Sequence, residues 1–244
     1  MTIERIKSGI HGLDKLIEGG YPKGSVILVS GGPGTGKTIF ALQYIYNGAK
    51  EGEAGLYITF EEDPKSLKES VKNLGMDFDE LEDKKKAAII KLDQVSDLPD
   101  FLKIVESNIK RLKAKRLVID SLSSLEVLSS TFQSIARDVS PITLREGYKM
   151  MPEKEAIIRR FLYKIINYLK GLDVTTLLTS ESQDTQYSRY GVAEFVVDGI
   201  IKLEYEIVGK IIQRNILVVK LRKSKIEGGR RSIEIGKGGI KVVD

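Results

Sequence analysis

Val26-Ile27-Leu28-Val29-Ser30-Gly31-Gly32-Pro33-Gly34-Thr35-Gly36-Lys37-Thr38 is the stretch that decides the fold. Its first residues form a short apolar, β-branched run that reads as a buried strand, and Lys37 to Ala49 has the spacing of a helix. Between them, Gly31 to Thr38 satisfies the phosphate-loop pattern in the strand-before, helix-after context that the pattern requires. Glycines suit such a loop because backbone N–H groups wrap the phosphates and no side chain can stand between. The helix starting near Lys37 adds the partial positive charge of its N-terminus. In this reading Gly32, Pro33, Gly34, Thr35 and Gly36 line a triphosphate, Lys37 reaches its β- and γ-phosphates, and the Thr38 hydroxyl ligates Mg²⁺. A glycine-rich turn that merely joins strand to helix is the bland alternative, and the flanking elements argue against it.

Outward from the loop, apolar β-branched runs alternate with segments at helical spacing, the pattern of a parallel sheet covered on both faces. Strands are expected over Leu56–Phe60, Ala87–Leu92, Arg116–Asp120 and Val174–Thr179, with helices over Pro64–Leu74, Leu98–Leu112 and Glu153–Leu172. From Phe195 on, strands without intervening helices follow: Val196–Glu206, Ile211–Leu221, Ser232–Ile235 and Ile240–Val242. They are expected to form an antiparallel meander at the edge of the parallel sheet. Ser129 to Met151 lacks a clear period and is long for a connection; it is either a lid or partner loop, or a pair of short helices. Gln183–Gly191 follows a strand end and is expected to face the ligand, because open α/β sheets bind ligands at strand carboxyl ends.

The fold class expected is therefore α/β: a mostly parallel central sheet flanked by helices, with C-terminal antiparallel strands, in one domain spanning 1–244. With 41% hydrophobic and 30% charged side chains, 244 residues suffice for a core without disulfides or metal staples. Zero cysteines and a single histidine, His11, exclude zinc fingers, Cys/His nucleophile pairs and thiol redox switches. Apolar runs such as Val26–Val29 fall far short of the roughly 20 residues that span a bilayer, and no signal-peptide core follows Met1. The expectation is a cytoplasmic chain with no membrane partner. The lack of cysteine and tryptophan, with abundant Lys and Glu, fits a thermophile's usage.

Net charge is +5, yet residues 210–244 hold ten Lys/Arg against three Asp/Glu, so the basic excess sits wholly at the end of the chain. Such a segment is either a solvated basic surface or one that faces nucleotide or nucleic acid.

Several strand ends carry chemistry. Arg116-Leu117-Val118-Ile119-Asp120 is an apolar strand ending in a carboxylate, where Asp120 would hold Mg²⁺ through water. Leu56–Phe60 ends at Glu61 and Glu62, and one of these would polarise the attacking water; sequence does not separate the two. The alternative, acids favouring a helix N-terminus, fits Asp63 better. Thr179-Ser180-Glu181 is either a γ-phosphate sensor or an ordinary strand cap. Lys220 and Arg222 alternate on one strand face, where they would act as a finger on a neighbour's nucleotide or simply blunt a basic edge strand.

Together these residues resemble the RecA-like ATPases of the KaiC family, specifically its single-domain archaeal and bacterial members. Ile6-Lys7-Ser8-Gly9-Ile10-His11-Gly12-Leu13-Asp14 and Gly19-Gly20-Tyr21-Pro22-Lys23-Gly24 are similar to the family's lead into the phosphate loop. Glu61-Glu62, Ile119-Asp120-Ser121, Leu178-Thr179-Ser180-Glu181, Glu194-Phe195-Val196-Val197-Asp198-Gly199 and Lys220-Leu221-Arg222 follow in the family's order. The resemblance implies a RecA-type core that binds ATP and Mg²⁺ between subunits of a homo-oligomer, usually a hexameric ring. It also implies that Lys220 and Arg222 contact the neighbour's γ-phosphate. The tandem domains and autophosphorylation of the clock protein do not carry over, and Lys220–Ile226 lacks the family's Gly and His after the basic pair. A second function remains open: an ATP-regulated, single-stranded-DNA-binding protein resembling RadA paralogues. The basic tail and Tyr187, Arg189 and Tyr190 would then contact the strand.

Overall fold

The computed structural model describes residues 3–93, 95, 97–129, 142–143, 149–150, 154–182, 186–189 and 191–243. Short strands β1 (Arg5–Ile6) and β2 (Tyr21–Pro22) pair with each other and bracket the one-turn helix α1 (Leu13–Leu16). Then come β3 (Val26–Gly31), α2 (Lys37–Lys50), β4 (Gly55–Thr59), α3 (Pro64–Lys72), α4 (Asp79–Asp83), β5 (Ala87–Lys91) and α5 (Leu98–Leu112). β6 (Arg116–Asp120) and α6 (Leu122–Ser129) are followed by the small antiparallel pair β7 (Ile142–Thr143) and β8 (Lys149–Met150). The rest of the 129–151 segment, to which the lid and paired-helix expectations apply, lies outside the described residues. α7 (Lys154–Lys170), β9 (Thr175–Glu181), α8 (Ala193–Val196), β10 (Gly199–Val208), β11 (Ile211–Leu221), β12 (Arg231–Gly236) and β13 (Gly239–Val243) complete the order.

Nine strands form one sheet in the order β13-β12-β11-β10-β3-β9-β6-β4-β5. From β10 to β5 every neighbour is parallel, and from β10 to β13 every neighbour is antiparallel. The tail is thus an antiparallel extension, but its first strand belongs to both halves: β10 runs parallel to β3 while it pairs antiparallel with β11. The strand expected from Val196 begins only at Gly199, because Ala193–Val196 closes a helical turn instead.

Alternation along β3 explains the layers. Ile27 and Val29 face a core shared with α2, while Val26 and Leu28 face a second core shared with α5, α6 and α7. With both faces covered, β3, β4 and most of β6 are buried throughout, as their uninterrupted apolar runs require. Caps set the helix starts: Asp63 accepts from the N–H groups of Lys65 and Ser66 ahead of Pro64, and Asp97 accepts from Asp100 N–H. Past the last residues that pair with β3 and β12, β10 and β11 continue as a two-stranded arm, on which Ile207, Ile211 and Ile212 are exposed.

Candidate phosphate-binding site

All parallel strands point their carboxyl ends to one edge of the sheet, and β3, flanked by β9 and β10, delivers the glycine-rich loop there. The loop is locally self-supporting. Thr35 Oγ1 donates to Gly32 O at 2.8 Å, and Gly36 enters α2 at φ 101°, a conformation that favours glycine. At Gly31 a Cβ would lie 2.5 Å from Leu203 O, so close strand approach demands glycine there. Around Gly32 and Gly34 the space a Cβ would fill is open, which leaves a cradle over the loop.

Lys37 folds back on this loop: its ammonium donates to Gly31 O at 2.9 Å and Gly32 O at 3.0 Å. Burial lowers its pKa, against the opposing pull of Glu181, Asp120 and Glu61, so the charge sits in a partly desolvated place.

Asp120 ends β6 next to Thr59 of β4. Three hydroxyls aim at its carboxylate: Thr179 Oγ1 donates to Oδ1 at 2.5 Å, Tyr57 OH donates to Oδ2, and Thr38 Oγ1 lies 3.4 Å from Oδ2. Burial and the Asp120 charge push the Tyr57 phenol well above its ordinary pKa, so it stays a donor. Thr38 and Asp120 thus present two hard oxygen donors side by side. Magnesium is commonly held by one or two protein oxygens, completed by phosphate oxygens and water, and this donor set fits it. Bound there, the cation would neutralise charge on phosphate oxygens.

Beyond β4 the chain turns sharply at Glu61 and Glu62, and both of their N–H groups donate to Thr59 Oγ1, at 3.3 and 3.1 Å. Ser124 Oγ donates to the Glu61 carboxylate. The Glu62 carboxyl is raised in pKa by partial burial, then by the charges of Asp120 and Glu61. Lys37, Thr38, Asp120, Glu61 and Glu62, drawn from three separate stretches, therefore meet at one sheet edge.

Thr179, Ser180 and Glu181 lie on the same edge. Thr179 orients Asp120, Ser180 Oγ stands 3.3 Å from Ser123 Oγ, and Glu181 N–H donates to Ser123 Oγ at 3.2 Å. Of the loop expected to face the ligand, Gln183, Asp184, Thr185 and Tyr190 lie outside the described residues. Tyr187 is half-buried: its N–H donates to Glu194 and its ring lies 5.8 Å from the Lys202 ammonium, on a strand residue level with Ser30.

Lys220 and Arg222 are not brought to this edge. Arg222 N–H donates to Asp198 O, and Asp198 N–H donates to Val26 O, so Arg222 sits level with the start of β3. Five residues of β3 separate that level from Gly31, roughly 16 Å along the strands. Lys220 Nζ donates to Glu194 O and Val197 O, and burial lowers its pKa, whereas the Arg222 side chain is half exposed, 3.7 Å from Asp198.

One residue that sequence reasoning passed over is Arg214 on β11. With Ile235 it walls a cleft of about 460 Å³ whose floor is Gly34, Gly36, Lys37 and Thr38. Its Nε is buried with no hydrogen-bond partner among the described residues. A buried guanidinium N–H left unbonded beside a phosphate cradle is a donor suited to an anion.

A family model described as "ATPase: KaiC" matches residues 6–142 and 146–244. A UPF0273 protein of Thermotoga maritima is 30% identical, over 98% of this chain and 95% of that protein. The circadian clock oscillator protein KaiC of Parathermosynechococcus lividus is 32% identical over 98% of this chain, which spans 42% of that protein's length. The crystal structure of a KaiC-like protein from Pyrococcus horikoshii superposes with a TM-score of 0.82 at 36% identity, each chain fully covered. The phosphate loop, the sheet order and these likenesses agree: the chain belongs to the KaiC family of RecA-like ATPases.

Proposed function

We propose that residues 1–244 form a single-domain, Mg²⁺-dependent ATPase that works as a homo-oligomeric conformational switch or motor. ATP lies with its phosphates in the cradle of residues 31–38, held by the loop N–H groups, Lys37 and Arg214. Thr38 and Asp120 hold the metal side, and the Glu61–Glu62 pair polarises the attacking water. The single observation that carries this reading is the convergence of Lys37, Thr38, Asp120 and both glutamates on the edge where β3 delivers its loop. Partial burial beside Asp120 keeps Glu62 more basic than a free glutamate, which suits a proton acceptor.

Position also supports an assembly. Arg222 is level with the wrong end of β3 to serve its own subunit's nucleotide, so it serves a phosphate only across a subunit contact. Repeated head-to-tail contacts of that kind close into a ring, and a hexamer is the ring that the family resemblance implies. Of the basic pair, Arg222 is the more available finger: its side chain is half exposed and held only by a 3.4 Å bond to Phe195 O and by Asp198 at 3.7 Å, while Lys220 is occupied with two backbone carbonyls.

ATP hydrolysis by size-separated oligomer and monomer fractions, with and without single-stranded DNA at two salt concentrations, tests the reading. Turnover confined to the oligomer and indifferent to DNA is expected. Stimulation by DNA that fades with salt would move the chain to the DNA-binding class, and absence of Mg²⁺-dependent turnover in every fraction would end the ATPase reading.

A further inference from the structure

We infer that Ser124 is a positioning residue for the Glu61 carboxylate, so that the first turn of α6 sets where that carboxylate stands over the phosphate cradle. The inference rests on the reading of Glu61 and Glu62 as the water-polarising pair, and it divides that pair by how each member is held.

Backbone contacts alone do not place a glutamate carboxylate. Thr59 Oγ1 receives the N–H groups of both Glu61 and Glu62, which fixes the turn but leaves two long, exposed side chains to find their own rotamers. Only Glu61 then receives a side-chain donor, because Ser124 Oγ reaches its Oε1. For Glu62 no side-chain hydrogen bond exists among the described residues.

Proton accounting gives the contact a direction. A serine hydroxyl has one proton and an ionised carboxylate only accepts, so the Ser124 proton is committed to Glu61. In the 2.8 Å contact between Ser121 Oγ and Ser124 Oγ, Ser121 must then be the donor. Ser121 Oγ also accepts Ser124 N–H at 3.2 Å, while Ser121 O accepts the N–H groups of Ser124 and Leu125. Capping of this helix start is thus performed by Ser121, which leaves the Ser124 hydroxyl free of a capping role.

The same turn is anchored on its other side. Ser123 is buried and its Oγ accepts Glu181 N–H, at the end of β9. Because Ser121 directly follows Asp120, a chain of bonded groups runs from the metal-side carboxylate through Ser121 and Ser124 to Glu61. A displacement of this turn would therefore carry the Glu61 carboxylate with it.

The test is steady-state ATP hydrolysis by the full oligomeric protein carrying Ser124→Ala, Ser124→Thr, Glu61→Gln or Ser124→Ala with Glu61→Gln. Loss of one hydrogen bond to a charged group predicts a fall in kcat of about tenfold for Ser124→Ala with KM little changed. Ser124→Thr, which keeps the hydroxyl, should recover most of the rate. Once Glu61 is already Gln, Ser124→Ala should cost less than about twofold more, because the two residues act as one unit. An unchanged kcat in Ser124→Ala, or an equal further fall in the Glu61→Gln background, overturns the inference while leaving the ATPase reading intact. If the wild-type protein does not turn ATP over at all, crystal structures of wild type and Ser124→Ala decide instead. Glu61 held on Ser124 in the first and moved to another rotamer in the second upholds the positioning contact, and Glu61 in one place in both ends it.

Discussion

At the carboxyl ends of β3, β4, β6 and β9, Lys37, Asp120, Glu61 and Glu62 face one another across an open cradle. At the amino ends of the same sheet, several cations are closed off by their neighbours. Arg116 is wholly buried there: its Nε and Nη2 meet Glu53 at 2.7 and 2.6 Å, its Nη1 donates to Tyr44 O at 2.8 Å, and its guanidinium lies 4.6 Å from the Tyr44 ring. Lys170 donates to Val196 O and Asp198, and Lys220 to Glu194 O and Val197 O. These three cations are bonded to carbonyls or carboxylates of their own chain. At the loop end, Lys37 bonds to carbonyls of the loop itself, and Arg214 leaves an N–H unbonded among the described residues. The difference teaches where to look for chemistry: Arg116 is paired with Glu53, whereas neither Lys37 nor Arg214 has an ion-pair partner among the described residues; a cation without a counter-charge marks a site, and a paired one marks a joint.

The comparison breaks most sharply at the glutamate pair. Replacing both Glu61 and Glu62 by Gln should lower ATP turnover by about 10²- to 10⁴-fold while nucleotide binding persists, as read by phosphate release beside a fluorescent-nucleotide titration. Wild-type turnover in that variant would leave the carboxyl edge with no more chemistry than the amino edge.

At the amino edge the expected effect is on stability alone. A Cβ on Gly48 would lie 2.0 Å from Arg116 Nε, so Gly48→Ala must displace a buried guanidinium paired with Glu53. We expect a loss of about 3 kcal/mol in urea unfolding, from overpacking and a disturbed buried pair, with KM for ATP unaltered. Arg214→Ala should do the reverse: KM for ATP rises about tenfold, the worth of one charge-assisted contact, and the urea midpoint hardly moves. A large stability loss there would class Arg214 with Arg116.

The smallest effect concerns Glu62. Its folded pKa is raised above the ordinary 4.5 by burial, Asp120 and Glu61, so the folded chain holds that proton more tightly than the unfolded chain does. The charged form is therefore a cost to folding that sets in as pH rises through 4.5 and is complete above the folded pKa. Glu62→Gln should have a slightly higher Tm than wild type at pH 7, with the gap closing below pH 4. An equal gap at both values would show that the shift is absent.

Much of the architecture was legible in the sequence where local signals agree. The helix expected over Leu98–Leu112 forms with those bounds because Asp97 caps it ahead of Pro99, and the strand over Arg116–Asp120 ends where the apolar run meets a carboxylate. Asp63 acts as a helix cap, as expected, and thereby separates itself from the two glutamates before it. Other elements gave no such signal. β1 and β2 are two residues each, too short for a period, and α6 is a serine-rich stretch whose helical start depends on Ser121 bonding to Ser124. The expected strand over Val196–Glu206 was misplaced at its start because Val196 closes a helical turn whose end is tied down by Lys170.

By itself, the sequence determined the phosphate loop, the alternation of strand and helix, and which strands end in Asp120 and in Glu61-Glu62. Each is a property of consecutive residues, and backbone period and steric freedom act over just that range. Only the tertiary structure decided that Arg214 lies in the cradle, that Lys220 and Arg222 lie at the opposite edge, and that Ser124 reaches Glu61. A cation on an alternating strand looks the same wherever it falls, and its place is fixed by strand order and register. Those are set by burying the apolar faces of residues far apart in the chain, here β11 against β10, β10 against β3, and α6 against β9.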